Sequence, residues 1–478
     1  MKRHWQEDKR GLVCLLIFST ILFLIAILTH GTCDEGDSIM HYLYARSVPA
    51  HPFNLLDHWA KPLYVLVSFP AAQFGFIGVK LQNTLLSCIA LWFTYLSARR
   101  LHFKWALAVF PIALFFKAFP LVSLSGLTEP LHNLLLSIAI YLLLCDRYIW
   151  VAIVVSFLPF VRSEGLFIVV GFGLFFALKR QWGAIPLLAL GHIVYSIAGY
   201  HRYHDLLWVF HNIPYAHADG HYGHGKWAYY GVMMPYIAGM VNTVLVTIGV
   251  VCGGISGVMM MYRRQWHSAT IDILFLIGLF VLFFLMHTIF WTFGLFGSFG
   301  LIRVFIAITG VMILIIIYAL DRIDALLSSY YKYATAAILV LVIVLSLSWS
   351  FAAWSPYRVN LVNDFELHAD QLCDSDVAAY VHSTIRDYSS YTLFIDAPYI
   401  MEVMNADIYG PHAYYNNQIP ATGYPPMSIA IWDDWYSNSE YKISLDFIRN
   451  HKEMREVKTF IRTNPWGGDR KVVLFVRD

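Results

Sequence analysis

The sequence predicts a polytopic α-helical membrane protein that ends in a small soluble α/β domain, on three observations. Of its 478 residues, 58% are hydrophobic and 13% charged, with a mean hydropathy of +0.58; water-soluble globular domains do not carry that balance. Apolar runs recur near 11–30, 62–79, 81–98, 105–124, 127–145, 149–161, 165–178, 184–200, 232–261, 270–293, 300–320 and 333–353. From Trp354 the runs stop, and Pro, Asp, Asn and Tyr become common. The chain therefore divides into a transmembrane module over 1–353 and a soluble domain over 354–478.

The first run is long enough to cross a bilayer core, which takes roughly 20 apolar residues. No small-residue cleavage site follows it, so it is expected to be a retained anchor. The runs at 149–161 and 165–178 are too short for straight spans and flank Arg162-Ser163-Glu164. The expected total is about 11 or 13 spans. In the tail, alternation predicts strands over Tyr391–Asp396, Met427–Trp432, Val457–Arg462 and Val472–Val476, with helices near Asp374–Arg386 and Ser444–Asn450. No Gly-rich phosphate loop or nucleotide fingerprint accompanies them; the net charge of +2 says little about partners, and no basic tract points to a nucleic acid, so none is expected.

Lys and Arg set the orientation. Lys2, Arg3, Lys9 and Arg10 hold the N-terminus in the cytoplasm. The loop 31–61 then emerges outside. With Arg99-Arg100-Lys104, Arg147, Lys179-Arg180, Arg263-Arg264 and Arg322 also cytoplasmic, and 62–98 crossing an odd number of times, the Thr128-Glu129 turn, the Arg162-Ser163-Glu164 break, the His-rich loop 201–231 and the C-terminal domain face outside as well. Cys33 and Cys373 fall in these external regions and are candidates for a disulfide.

That external face gathers the residues able to do chemistry. Asp34, Glu35 and Asp37 stand directly behind the first span. Carboxylates beside hydrocarbon are costly and mark sites more often than they decorate helix ends. One of them can serve as a general base on an acceptor hydroxyl or amine, and Asp34 with Asp37 is also a candidate pair for a divalent cation. His58 and Lys61 open the next apolar segment, where a lipid phosphate would lie; snorkelling at the interface is the plain alternative for the lysine. Thr128 and Glu129 open a helix with Pro130 in its first turn, a cap as well as a candidate site. Arg162 and Glu164 either pair with each other or face a ligand, and Arg303 lies about one turn into a helix, where it could hold a phosphate. The His-rich loop shows no metal-ligand spacing and reads as a substrate cover.

The order of these strings resembles the GT-C superfamily of membrane glycosyltransferases, which includes protein O-mannosyltransferases and aminoarabinose transferases. The strings are Asp34-Glu35-Gly36-Asp37, Lys61-Pro62-Leu63-Tyr64, Thr128-Glu129-Pro130-Leu131 and Arg162-Ser163-Glu164-Gly165. The resemblance implies transfer of a sugar, of hexosyl or mannosyl type, from a polyprenyl-phosphate carrier to a lipid, glycan or protein acceptor. The reaction would occur at the outer face of a bacterial inner membrane, among its lipids. It implies direct inverting displacement with Asp34 as base, Asp37 or Glu35 in support, and Lys61, Arg162 and Arg303 as phosphate contacts. The rival from another class is a transporter or flippase of a lipid-linked or small polar substrate. Such proteins show paired halves with broken helices in matching positions, and no internal repeat occurs here.

Overall fold

A computed structural model describes residues 2–215, 220–264, 268–360, 363–464 and 467–478, with side chains from residue 8 onward. Residues 216–219 of the His-rich loop lie outside the described residues. Among the described residues six helices are long and apolar enough to cross a membrane: Asp8–Leu28, Phe76–Arg100, Met240–Arg263, Ser268–Phe293, Ile302–Ser328 and Ala334–Phe351. The remaining apolar runs fold as shorter helices, among them Pro62–Ala72, Glu129–Leu143, Tyr148–Phe160 and Gly165–Leu178.

Ile302–Ser328 is the pillar of the bundle. Between Arg303 and Asp321 it is apolar all round, and 94% of its most hydrophobic window is buried by protein, the pattern of a helix enclosed on every side. Its first seven residues, Ile302–Ile308, form a tighter 3₁₀ turn before the α-helix continues from Thr309. Phe76–Arg100 packs closely on Glu129–Leu143 and on the first helix. It ends on Arg99 and Arg100, where cations favour the negative helix end.

Beyond residue 368 the chain builds a five-stranded mixed sheet. The strands are β1 (Thr392–Ile395), β2 (Ala413–Tyr414), β3 (Ser428–Asp433), β4 (Arg455–Thr463) and β5 (Asp469–Arg477), in spatial order β2-β1-β3-β5-β4. β1 pairs parallel with β2 and β3, and β5 runs antiparallel to β3 and β4. Every residue of β3 is buried, as a central strand covered on both faces requires. β4 is the edge and carries Glu456, Lys458 and Arg462, charges that discourage further pairing. Four of the strands fall where alternation places them; β2 has two residues, too few to show a period.

The sheet unit is tied to the membrane module behind the first span. Gly31 N–H donates to the Phe365 carbonyl at 2.8 Å and Gln371 Nε2 to Thr32 Oγ1 at 2.7 Å. Farther along, Arg46 pairs with Glu402 at 2.8 Å. Cys33 and Cys373 are both free thiols, so the candidate disulfide is not formed.

Candidate active site

The acidic loop is shaped by its own side chains. Asp34 Oδ1 accepts the backbone N–H groups of Gly36 at 2.9 Å and Ser38 at 3.3 Å, which turns the chain into the helix Asp37–Arg46. Ser38 Oγ donates to the Thr32 carbonyl at 2.9 Å and accepts the N–H of Gly126 at 2.7 Å. That second bond straps the acidic loop to the turn before Glu129. Tyr64 holds the same turn by donating to the Gly126 carbonyl at 2.7 Å, and Asn83 Nδ2 reaches the Ser125 and Leu127 carbonyls at 2.7 and 2.8 Å.

Arg303 enters from the other side. Gly294, Gly297 and Gly300 all adopt positive φ in the turn before it, a conformation glycine reaches without steric cost. The 3₁₀ turn that carries Arg303 is then pinned to the Glu129 helix. The His132 ring meets the Ala307 carbonyl at 3.0 Å, and Asn133 Oδ1 accepts the Gly310 N–H at 2.9 Å.

The result is a chain of alternating charges. The Arg303 guanidinium is in direct contact with Asp37 and lies 3.5 Å from Asp34 and 3.8 Å from Glu129. Glu129 is fully buried, and its carboxylate lies 2.8 Å from Arg162 Nη1. Neither Glu129 oxygen has an aligned hydrogen bond, so charge rather than hydrogen-bond geometry holds it. Arg162 continues to Glu164 at 2.9 Å and donates to Thr128 Oγ1 at 3.1 Å. Lys61 Nζ donates to Ser163 Oγ at 3.0 Å. Thr128 occupies the N-cap position expected for it, but its hydroxyl caps nothing and serves Arg162 instead. Arg162 and Glu164 do pair, and the same arginine also reaches Glu129.

Two residues behind this cluster are strained. Cys33 and Lys61 adopt φ of 65° and 67°, a left-handed conformation that costs a non-glycine residue roughly 1–2 kcal/mol. For Lys61 the following Pro62 restricts the backbone further. Burial pushes the Asp37 carboxyl up, but Arg303 and then His41 outweigh it and hold Asp37 below the usual carboxylate range.

Glu35 and His58 stand apart from the charge chain. The charges acting on Glu35 are chiefly Arg470, Asp374 and Asp370 of the sheet unit. Burial pushes Glu35 up to about 8, with Arg470 opposing. An acid raised in the folded state binds more protons folded than unfolded, so stability falls as pH climbs from the ordinary carboxylate range through about 8. Glu35→Gln is therefore expected to raise the Tm relative to wild type at pH 9 and to leave it nearly unchanged at pH 4. A lower Tm at pH 9 would overturn this account. His58 Nδ1 is engaged by the Asn212 carbonyl at 2.9 Å, with the ring edge-on to Trp208, so it braces the His-rich loop.

Two cavities meet at the charge chain. The first, of about 390 Å³, has apolar walls from Leu166, Phe167, Phe210 and Phe290 and a polar end at Lys61 and Arg162. The second, of about 640 Å³, lies between the membrane module and the sheet unit and includes Asp34, Glu35 and Arg303 in its wall. Asp37, Trp59 and Tyr215 line both. Tyr215 brings the His-rich loop onto the junction, its hydroxyl accepting from Trp59 Nε1 at 2.8 Å. Among the described residues no group of three or more His, Cys, Asp or Glu side chains is placed to hold a metal ion. Between Asp34 and Asp37, the pair considered for a cation, sits the Arg303 guanidinium.

Comparison with solved structures decides the fold. ArnT from Cupriavidus metallidurans bound to undecaprenyl phosphate is similar with a TM-score of 0.55 at 11% identity, over 97% of this chain and 97% of that one. The chain has the GT-C fold. The oligosaccharyltransferase of Archaeoglobus fulgidus in its apo form is similar with a TM-score of 0.55 at 12% identity, over 96% of this chain and 74% of that one. No protein-family model matches the sequence, and no curated protein matches it. At such identities the GT-C likeness lies in the path of the backbone, and it extends over both the helical bundle and the terminal sheet.

Sequence reasoning selected the charged members of the site and missed the residues that hold them. Asn83, His132 and Asn133 are buried polar side chains inside apolar helices. That placement is a usable signal, since a polar group within a span needs a partner. Ser38 carried no such mark, because it lies beside the acidic string, and Tyr64 was read only as the last residue of Lys61-Pro62-Leu63-Tyr64.

Proposed function

We propose that the protein is an integral-membrane glycosyltransferase that moves a sugar from a polyprenyl-phosphate-linked donor to an acceptor at the extracytoplasmic face. The observation that carries this reading is the junction: a carboxylate pair with its arginine stands where a largely apolar cavity that includes Lys61 and Arg162 meets a second, more acidic cavity beneath the sheet unit. The polyprenyl chain would lie along Phe167 and Phe290, with its phosphate at Lys61 and Arg162. The acceptor would enter from the second cavity.

Asp34 is the better base of the pair. Asp37 is locked against Arg303 and held low in basicity. Asp34, a residue of the second cavity's wall, uses Oδ1 to shape the loop and has Oδ2 at the looser distance of 3.5 Å from Arg303. It would take the acceptor proton as the acceptor oxygen or nitrogen attacks the anomeric carbon. The bond from that carbon to the phosphate oxygen breaks on the opposite face, which inverts the centre. The negative charge on the departing lipid phosphate is met by Lys61 and Arg162. Arg303 fixes the two acids in position.

Incubation of the purified protein with a panel of undecaprenyl-phosphate hexoses and a panel of lipid, glycan and peptide acceptors tests the reading. Release of undecaprenyl phosphate together with glycosylated product is expected. Movement of a lipid-linked sugar across liposomes without transfer would favour the transporter instead. Burial lowers the Lys61 ammonium to about 8, Glu164 opposing and Arg162 assisting. Undecaprenyl phosphate should accordingly bind less well as pH rises through about 8, as the ammonium discharges, and Lys61→Arg should remove that decline because a guanidinium stays charged. Wild-type affinity that is flat between pH 7 and 9.5 would count against Lys61 as the phosphate contact.

A further inference from the structure

The transfer reading leaves the acceptor open, and the walls of the second cavity narrow it. Aromatic side chains come from both halves of the protein: Tyr44 and Trp59 from the first external loop, Tyr415, Trp435, Tyr436 and Tyr441 from the sheet unit. Several stand as ring pairs on its wall, and Tyr44, Trp59, Tyr415 and Tyr436 are half-buried, packed on one side against the core and bordering the cavity on the other. Tyr44 and Trp59 lie 5.8 Å apart between centroids, Tyr415 and Tyr441 5.4 Å, and Phe299 and Trp435 6.0 Å. Trp435 is 38% exposed and Tyr441 37%, although both are large apolar-faced rings.

Acidic side chains outnumber basic ones in the wall of the same cavity. Asp34, Glu35, Asp37, Asp396 and Glu440 line it. Arg303 is already shared among Asp34, Asp37 and Glu129, and His221 faces Glu440 at 3.4 Å. No other Lys, Arg or His lines this cavity among the described residues. The cations Lys61 and Arg162 belong to the other cavity. An anionic acceptor would therefore meet the excess of Asp34, Asp37 and Glu440 over a single arginine, and like charges at close range repel. A ligand that offers hydroxyl donors to carboxylates and flat C–H faces to aromatic rings meets no such obstacle. At about 640 Å³ the space also falls within the roughly 300–1,000 Å³ of small-ligand sites.

From this we infer that the cavity between the first external loop and the sheet unit is a saccharide site, and that the acceptor is an uncharged glycan. The inference rests on the transfer reading for the word acceptor, but binding of the saccharide is separable from transfer. Trp435 and Tyr441 supply the stacking platform, and Asp34 presents its oxygen to one sugar hydroxyl.

Isothermal titration of the purified full-length protein tests it. The panel is neutral gluco-, manno- and galacto-configured trisaccharides, sialylated and phosphorylated counterparts, and a Ser/Thr-rich peptide. Saturable binding is expected for at least one neutral trisaccharide, with none for the anionic sugars or the peptide. Trp435→Ala and Tyr441→Ala, both at exposed rings, should each weaken it about tenfold, while undecaprenyl phosphate binding stays unchanged. Binding of an anionic sugar or the peptide, no binding by any neutral sugar, or full affinity in both variants would overturn the inference. If saccharide binding holds while Lys61→Met leaves undecaprenyl phosphate affinity intact, the donor assignment fails and the saccharide site stands.

Discussion

The Asp34→Asn protein is expected to lose about 10²–10⁴-fold in transfer rate, the range that a positioned general base contributes. The amide keeps the shape of the carboxylate, so its oxygen can still accept the Gly36 and Ser38 N–H groups that turn the loop. Donor affinity should therefore change little, because Lys61 and Arg162 lie in the other cavity. The measurement is kcat with a lipid-linked donor beside undecaprenyl phosphate affinity and Tm. A protein that retains wild-type kcat would remove Asp34 from the mechanism. Asp37→Asn should act differently. It removes the closest partner of Arg303 and is expected to disturb both the arginine's position and the thermal stability, with the loss in rate following from that displacement.

Glu129→Ala has the largest expected effect on stability. Glu129 is fully buried between Arg162 at 2.8 Å and Arg303 at 3.8 Å. Deleting it leaves two guanidinium groups facing each other away from water. Removing one partner of a buried ion pair typically costs about 3–5 kcal/mol, and unfolding in detergent should show a loss of that order. Glu129→Gln, which keeps the shape and loses the charge, should fall between wild type and the alanine variant. A Glu129→Ala protein within about 0.5 kcal/mol of wild type, a shift typical of ordinary surface changes, would mean that the charge chain is not structural. Asp34 and Glu129 thus separate two roles that the sequence places side by side, since the rate should follow the first and the fold the second.

The fold was legible because its signals are local. Apolar runs, their interruption at Arg162-Ser163-Glu164, and the switch to period-two alternation after Trp354 each lie within a short window. The order of acid loop, Lys-Pro, Thr-Glu-Pro and Arg-Ser-Glu likewise survives as linear text, which is why the GT-C resemblance was readable at an identity near 11%. The span count was less legible. Runs such as 62–79 and 127–145 fold into helices of 11 and 15 residues, and composition alone does not say where a helix ends inside an apolar stretch.

What the sequence determined by itself is the chemistry available: acids behind the first span, cations at the segment starts, aromatic residues in the tail. Tertiary structure alone decided which of them meet. Glu35 is a neighbour of Asp34 in the chain, yet it answers to Arg470, 435 positions on. Arg303, 266 positions from Asp37, closes on it because His132 and Asn133 pin its turn to the Glu129 helix. The physical reason is that a charge near hydrocarbon is stable only beside its counter-charge. Distance along the chain does not enter that requirement, so pairing is settled only when the helices have packed.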